Sequence, residues 1–267
     1  MHPIERLRFV ARSSGVPAEV LVRETALALR AFRGDDAGLV AACRRVVDRQ
    51  PTSAPLWWLC ARMIAAPDPS AEGALAIDEI ESDPTARLLA AELPESAVVA
   101  LVGWPEKAVG ALRRRGDLEV LVIDTEGSAA ELVDRFEDMD VDAVEVAARN
   151  TGAAVRDADL LLIDTLAVGP AETLAPAGAL AAAATATQLD TPVWLVAGAG
   201  RLLPGSMYDA LLRRWRNGVR DELDAAEETV PLSLVDRLAG TGGVAEPGEA
   251  LRWTDCPVAP ELFGTAG

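Results

Sequence analysis

The sequence predicts an α/β protein in which a small N-terminal helical domain, residues 1–94, precedes a Rossmann-like parallel α/β domain, residues 95–267. Up to about Leu93 the apolar residues recur at helical intervals. Past Pro94, short apolar runs alternate with helical patterns, as strand and helix repeats do. With 267 residues, 50% of them hydrophobic, the chain is long enough for such a two-part body to bury a real core.

The first domain is predicted to contain helices and no strand. Apolar residues at 39–47 and 56–64 have helical spacing, and Thr52 or Ser53 could cap the second of these helices. A further helix is expected over about 70–92, with an interruption near Asp83 and its following proline.

The second domain contains five candidate strands without strict apolar and polar alternation, a pattern typical of parallel strands that are covered on both faces. They are AVVALV at 97–102, LEVLVI at 118–123, VDAVEV at 141–146, DLLLI at 159–163 and PVWLVA at 192–197. Helical patterns at 107–114 and 129–136 separate the first strands. Right-handed crossovers would join these units into a doubly wound sheet.

The remaining segments are assigned by composition. The alanine-rich run at 178–187 predicts a helix lying close to the sheet, and residues 206–217 predict a helix that covers it. The acidic stretch at 220–228 is interpreted as a solvated face. The glycine-rich segment at 240–249 predicts a mobile loop.

Charge and residue usage exclude several classes of function. A formal net charge of −17 and a pI of about 4.5 argue against nonspecific binding to nucleic acid or to an anionic membrane. No apolar run reaches the roughly 20 residues that cross a bilayer, and no secretory signal is evident, so a cytoplasmic location is expected.

Metal and histidine chemistry are also disfavoured. The three cysteines, Cys43, Cys60 and Cys256, are widely spaced and are interpreted as free thiols, with Cys43 and Cys60 packed in helices. His2 is the only histidine, and a residue so close to the terminus is a poor general base. No metal and no cofactor are therefore expected.

Ligands of open α/β sheets bind beyond the carboxyl ends of the strands. The loops that follow the predicted strands begin at Gly103, Asp124, Ala147, Asp164 and Gly198. None of these loops has the glycine spacing of a nucleotide-binding motif, which argues against a dinucleotide site.

Several strings, in order, resemble a family that contains the alpha, beta and delta subunits of initiation factor 2B, ribose-1,5-bisphosphate isomerase and methylthioribose-1-phosphate isomerase. The resemblance covers most of the chain. The strings that carry it are RSSG at 12–15, QPTSAPL at 50–56, VLVIDTE at 120–126, VWLVAGAGRLLP at 193–204 and DCPVAPEL at 255–262. The resemblance implies a helical domain with a phosphate-holding turn, followed by an α/β domain through which family members associate.

The chain departs from the family at the catalytic positions. Gly103 and Trp104 stand where the isomerases carry a cysteine, and Leu166 stands where they carry the catalytic aspartate. The asparagine–lysine pair that opens the next helix in the family falls near Ala175 and Pro176. Asp164 lies two residues before the expected aspartate and is the one weak catalytic candidate; a capping or turn role is its alternative.

Three hypotheses follow. In the first, the protein binds a phosphorylated sugar or nucleotide metabolite without isomerase activity, through arginines and backbone N–H groups. The predicted ligand-binding residues are Arg12, Gly15, Thr52, Gly103, Trp104, Asp124, Glu126, Gly198 and Arg201. Arg12 could instead be an ordinary surface residue, and Arg201 could form a surface ion pair.

The second hypothesis is an active isomerase with altered catalytic residues, using Asp164 with Asp124 or Glu126 as acid and base. The third is a structural or regulatory assembly protein, a homodimer through the α/β domain. Large side chains could anchor that contact or pack in the core; they are Trp57, Trp58, Trp194 and Trp215.

Overall fold

The computed structural model describes residues 2–13, 16–104, 106–125 and 127–264, without the side chain of Glu222. The chain forms two compact units. Met1–Asp83, Ala199–Arg220 and Thr254–Gly267 make up the first, which is called the helical unit below. Pro84–Gly198 and Asp221–Trp253 make up the second, the sheet unit.

The helices follow one another along both units. They are α1 (Pro3–Arg12), α2 (Ala18–Leu29), α3 (Asp36–Arg49), α4 (Ala54–Ala65), α5 (Pro69–Glu81), α6 (Thr85–Glu92), α7 (Glu106–Leu112), α8 (Ala129–Glu137), α9 (Thr151–Asp157), α10 (Ala179–Gln188), α11 (Gly205–Gly218) and α12 (Pro247–Ala250).

The strands all lie in the sheet unit. They are β1 (Val98–Val102), β2 (Glu119–Asp124), β3 (Asp142–Ala147), β4 (Leu160–Asp164), β5 (Ala167–Val168), β6 (Glu172–Pro176), β7 (Val193–Val196), β8 (Glu227–Pro231), β9 (Arg237–Gly240) and β10 (Gly243–Ala245).

Helix α4 is the centre of the helical unit. Apart from Arg62 its residues are apolar on every side, and Trp57, Trp58 and Cys60 are almost completely buried, as expected for a helix with no solvent-facing stripe. Helices α2, α3 and α5 pack around it. Side-chain caps fix where two of these begin: the carboxylate of Asp35 accepts from the N–H of Gly38, and that of Asp68 accepts from the N–H groups of Ser70 and Ala71.

Helix α11 and the C-terminal segment are attached to the same unit by one buried arginine. The Arg214 guanidinium donates to the Asp48 carboxylate at 2.5 Å and to the carbonyl of Leu262 at 2.7 Å. It also lies 4.8 Å from the ring centroid of Trp57. These contacts tie α11, α3, α4 and the chain end together.

The sheet unit is built on a seven-stranded sheet of order β10-β9-β7-β4-β1-β2-β3. Neighbouring strands are parallel, except that β10 runs antiparallel to β9. The central strand β4 is buried from Leu160 to Ile163, which agrees with its continuous apolar sequence. The predicted Rossmann-like α/β fold after a helical N-terminal region is confirmed.

The segment at 240–249 is not the predicted mobile loop. It contains the end of β9, strand β10 and helix α12. A Cβ on Gly242 would lie 2.6 Å from atoms of the Trp253 ring. The glycines therefore allow an aromatic ring to pack on the backbone, and the sequence prediction mistook this close packing for mobility.

A second sheet, of order β5-β6-β8, is antiparallel and was missed in the sequence. Part of the acidic stretch interpreted as a solvated face, Glu227 and Glu228, belongs to β8. Likewise Ala175 and Pro176 end strand β6 rather than open a helix; α10 begins at Ala179. These strands were missed because they are short and because Glu172, Glu227 and Glu228 interrupt their apolar pattern.

The bounds of the two units differ from those of the predicted domains. Helix α6 belongs to the sheet unit, where it packs on α7, β9 and β10, and α11 belongs to the helical unit. The division at residue 94 therefore stays a prediction about independently folding domains. Within the described part of the chain, no helix is both long and apolar enough to cross a membrane.

Candidate functional site

Three of the predicted site residues stand side by side at the carboxyl edge of the main sheet. Val102 of β1 is in register with Ile123 of β2 and with Ile163 of β4. The next residues along the three strands, Gly103, Asp124 and Asp164, are therefore level with one another. The two carboxylates flank the glycine, with their backbones about 10 Å apart because two strand spacings separate them.

Gly103 is required by close packing. Its φ of +85° lies in the region that favours glycine, and a Cβ there would be 2.7 Å from Pro176 Cγ and 3.3 Å from Asp164 Cβ. No side chain fits at residue 103 without movement of Pro176. The absence of a side chain thus lets the end of β6 close over the end of β1.

Asp124 is used by its own loop. Its Oδ1 atom accepts hydrogen bonds from the N–H groups of Gly127 at 2.7 Å and Ala129 at 3.3 Å. These donors lie at the start of α8, where the side chain of the N-cap residue, Ser128, makes no capping bond. Asp124 therefore supplies the acceptor that this helix start needs.

The space beside Gly103 and Asp124 is very small. A cavity of about 10 Å³ lies there, lined by Gly103, Val122, Ile123, Asp124, Thr125, Ser128, Ala129 and Leu132. Such a volume is close to that of a single water molecule and is far below the several hundred cubic ångströms of a small-molecule site. This part of the sheet edge, taken by itself, does not accommodate a sugar phosphate.

A second glycine closes the neighbouring part of the edge. Gly178, with φ +92°, precedes α10, and a Cβ on it would lie 2.6 Å from Cγ2 of Thr125. The N–H of Leu180 in the first turn of α10 donates to the Glu228 carboxylate at 2.8 Å. The sequence prediction did not include Pro176, Gly178 or Thr125 among the site residues, although Pro176 stands near a family motif position.

The Trp104 side chain packs against other residues of the sheet unit. It is partly buried against the apolar core of the sheet unit, and the Arg135 guanidinium lies 5.9 Å from its ring centroid. A ligand-binding role for Trp104 stays a prediction. Asp164 is half-buried at the end of β4, and the hydroxyl of the next residue, Thr165, donates to the carbonyl of Val196.

Other predicted site residues lie in the helical unit. Arg12 is exposed at the end of α1, Thr52 is half-buried in the turn before α4, and Arg201 is half-buried in the turn before α11. Gly198 is buried at the end of the sheet unit. Gly15 and Glu126 lie outside the described residues.

The turn that carries Arg201 is tightly held within the helical unit. Gly200 has φ +73°, and a Cβ on it would lie 3.1 Å from Pro55 Cα and from the Trp58 ring. The N–H of Ala199 donates to the Asp83 carboxylate at 2.9 Å. The backbone preceding Arg201 is therefore fixed against α4.

A buried cation that the sequence prediction missed lies on the same helix. Arg62 pairs with Glu72, Glu79 and Asp255, and its guanidinium lies 4.7 Å from the Trp58 ring centroid. Burial opposes its charge, but the hydrogen bonds to Glu79 and Glu72 outweigh that effect and raise the pKa of Arg62 above its usual value. Trp58 donates to Asp255 at 2.8 Å, so this network is structural.

The thiols and carboxylates do not form a metal site in the described residues. No group of three or more His, Cys, Asp or Glu side chains there is arranged to hold a metal ion. The three cysteines are free and buried. Three of the predicted anchoring tryptophans, Trp57, Trp58 and Trp215, are core residues with at most 5% exposure.

No protein-family model and no curated protein sequence matches the chain. Solved structures do share its fold. The translation initiation factor eIF-2B of Pyrococcus horikoshii OT3 is 12% identical, with 93% of this chain and 98% of that chain covered and a TM-score of 0.75. A chain of the tetrameric eIF2B-beta2-delta2 complex from C. thermophilum is 15% identical, with coverages of 92% and 91% and a TM-score of 0.70.

An enzyme has the same fold. The 5-methylthioribose 1-phosphate isomerase of Pyrococcus horikoshii OT3 is 12% identical, covers 94% of this chain with 86% of its own, and has a TM-score of 0.63. The fold implied by the sequence resemblance is therefore confirmed. Because these identities are low, the structures show the shared fold and leave activity to be argued from residues.

Proposed function

We propose that this chain is an initiation factor 2B-like and isomerase-like protein that binds a phosphorylated sugar or nucleotide metabolite without isomerising it. One observation carries the absence of isomerase activity. The position that resembles the isomerases' cysteine holds Gly103 and Trp104, and Pro176 occupies the space that a side chain on residue 103 would need. Neither glycine nor tryptophan supplies a nucleophile or a proton donor.

The carboxylates nearby support the same conclusion. Moving a proton between two adjacent carbons of a sugar phosphate requires an acid and a base close to both carbons. Asp124 is engaged by the N–H groups of its own loop, and Asp164 lies two strands away at the same level. Because the strand ends that carry the two carboxylates are about 10 Å apart and Asp124 is engaged by its own loop, the pair is poorly placed to act as acid and base on one C–C unit.

Binding of a phosphate is argued from the arginines of the helical unit. Arg12 and Arg8 lie one turn apart on α1, and both line an open cavity of about 460 Å³ together with Glu5, Phe9 and Ser13. Arg201 follows a turn whose backbone is fixed by Gly200 and Ala199. Arginine on a rigid support is well suited to bidentate phosphate contacts.

The test measures thermal unfolding with ribose 5-phosphate, ribose 1,5-bisphosphate and nucleoside monophosphates. A ligand that binds only the folded protein raises the Tm. We expect a saturable rise that Arg12→Gln and Arg201→Gln each weaken. Arg30→Gln removes another exposed arginine of the helical unit and serves as the matched control, with an unchanged response. A rise that survives both variants, or no rise at millimolar ligand, contradicts the binding proposal.

Turnover is measured on the same preparation. Methylthioribose-1-phosphate and ribose-1,5-bisphosphate are incubated with the protein and followed by phosphorus NMR. We expect no isomer above the uncatalysed rate. Product formation that Asp164→Asn abolishes would establish the alternative of an isomerase with altered catalytic residues.

A second candidate function, assembly, is favoured by the exposed edge of the main sheet. Strand β3 ends the sheet, three of its six residues are exposed, and Val144 is 48% exposed. An edge strand with free backbone groups is a surface on which another strand can pair, and the exposed Val144 adds an apolar contact. We propose a homodimer through this α/β surface, tested by sedimentation of the protein and of Val144→Lys. A dimer that the variant dissociates supports it, whereas a monomer, or a dimer insensitive to the variant, contradicts it.

A further inference from the structure

A large cavity lies within the helical unit, between α1 and α3. Its volume is about 770 Å³, which falls in the range of small-molecule sites. The walls are apolar, with Leu7 and Val10 from α1, Val46 from α3, and Phe32 from the turn after α2. Ile4 at its lining is 56% exposed. A concave site of this volume with mainly apolar walls is typical of a small-molecule site.

Three arginines surround these apolar walls. Arg8 comes from α1, and Arg45 and Arg49 come from successive turns of α3; all three line the cavity and are exposed. Like charges one turn apart on a helix repel each other. Together with the apolar interior, the three arginines give the cavity a positively charged opening and apolar walls.

In the part of the chain that the structure describes, these three arginines are not neutralised by a neighbouring acid. Elsewhere in the chain, ion pairs with carboxylates hold Arg6, Arg23, Arg62, Arg115, Arg156 and Arg214. Within the described residues, no hydrogen bond or ion pair joins Arg8, Arg45 or Arg49 to a carboxylate.

The single carboxylate at the cavity does not neutralise its mouth. Among the described lining residues, Asp48 alone is acidic, and it is paired with Arg214, whose side chain is 9% exposed. The cavity lining thus carries three positive charges and one negative charge inside a protein of net charge −17. An anion is attracted here locally although the protein as a whole repels it.

We propose that this cavity binds a single amphipathic anion, a molecule with a hydrocarbon chain and a carboxylate head. The chain lies against Leu7, Val10, Phe32 and Val46, where it removes apolar surface from water. The head receives charge-assisted hydrogen bonds from Arg45 and Arg49 on one side and Arg8 on the other. Arg8 lines both this cavity and the one beside Arg12, but the amphipathic anion is a different ligand from the phosphorylated metabolite proposed above and needs neither Arg12 nor Arg201.

The test uses dodecanoate below its micelle-forming concentration, with binding measured by calorimetry and by the shift of Tm. Three probes separate head from chain: acetate carries the head alone, dodecyl maltoside carries an uncharged head, and dodecyltrimethylammonium carries a positive one. We expect saturable binding of one dodecanoate per chain and at least tenfold weaker binding of the other probes. Equal binding of dodecyl maltoside would overturn the role of the arginines.

Two variants address the two halves of the site. Arg45→Gln with Arg49→Gln keeps the exposed surface and should weaken dodecanoate binding about tenfold or more. Arg30→Gln with Arg33→Gln, two exposed arginines outside the cavity, is the matched control and should bind as the wild type does. Ala11→Phe, at a half-buried lining position, should obstruct part of the apolar wall and weaken dodecanoate binding, with the fold retained by circular dichroism.

Competing occupants give distinct outcomes. If phosphatidylglycerol vesicles bind the protein while monomeric dodecanoate does not, the surface contacts membranes and the proposal is wrong. Binding of an acidic amphipathic peptide with no binding of dodecanoate also overturns it. If the control with Arg30→Gln and Arg33→Gln loses as much affinity for dodecanoate as the variant with Arg45→Gln and Arg49→Gln, binding depends only on the net charge of the protein and the proposal is wrong.

Discussion

Pro176 Cγ lies 2.7 Å from the position that a Cβ on Gly103 would occupy. The end of β6 is thereby closed over the end of β1, at the level where Asp124 and Asp164 end their strands. The missing side chain at residue 103 thus determines the shape of this edge of the sheet.

Replacing Gly103 by alanine should destabilise the protein by about 2–4 kcal/mol. The φ of +85° disfavours any Cβ, and Pro176 must also move. Urea unfolding measures the change. Gly152→Ala, at an exposed position of α9 where no atom lies within 4 Å, is the control and should leave stability unchanged or raise it.

The double variant Gly103→Ala with Pro176→Ala isolates the contact. Removing the ring of Pro176 should recover part of the loss, leaving the backbone strain at residue 103. If the double variant loses as much stability as the two single variants together, Pro176 is not what excludes a side chain at residue 103.

Asp124→Ala should cost about 1–2 kcal/mol, because the start of α8 loses the acceptor for two N–H groups. Asp134→Ala removes an exposed carboxylate from the middle of the same helix and should have little effect. Chemical denaturation of both variants checks this expectation. If the two variants lose the same amount of stability, net charge rather than capping is responsible.

The contribution of Asp117 to stability should depend on pH. Hydrogen bonds from the Arg115 guanidinium and then from the N–H of Ser96 lower the pKa of Asp117 below its ordinary value of 3.8. A lowered pKa in the folded state gives stability that is fully present above the unfolded value and is lost as pH falls below about 4. Asp117→Asn should therefore be less stable than the wild type at pH 7.

The measurement compares urea midpoints of the wild type and Asp117→Asn at pH 7 and pH 3. The difference should be modest, since the carboxylate is exposed, and smaller at the lower pH. A difference that grows towards pH 3 has the wrong sign for this ion pair.

The three cysteines should react slowly with thiol reagents in the folded protein. A hydrogen bond with Cys43 and burial raise the pKa of Cys60, and burial raises the pKa of Cys256 to about 12. Thiolate, the reactive form, is scarce for both groups at pH 8. Dithionitrobenzoate should titrate three thiols only after denaturation, and rapid labelling of the native protein would contradict the burial of these residues.

The sequence predicted the main strands well because burial on both faces leaves an unbroken apolar run that few other structures produce. Strand β4, from Leu160 to Asp164, is the clearest case. The small second sheet was missed because β6 and β8 are short and carry charged residues, such as Glu172 and Glu227, among apolar ones. These segments are strands because β6 pairs with β8, more than 50 residues further along the chain, and not because of a local sequence pattern.

For the candidate site, the sequence placed Gly103, Asp124 and Asp164 at strand ends, and the register of the sheet confirmed that they are level. It also showed by residue identity that no cysteine or histidine is available there. The closing contacts, from Pro176 to Gly103 and from Thr125 to Gly178, join residues far apart in the chain. No local spacing encodes them.

The sequence by itself therefore determined the class of fold, the order of strands along the chain and the side chains offered at each strand end. Tertiary structure alone decided which of those side chains accept hydrogen bonds from neighbouring backbone, as Asp124 does, and where a cavity remains between helices. The physical reason is that periodicity reports burial of each residue, whereas a cavity or a closed edge depends on the packing of several distant segments at once.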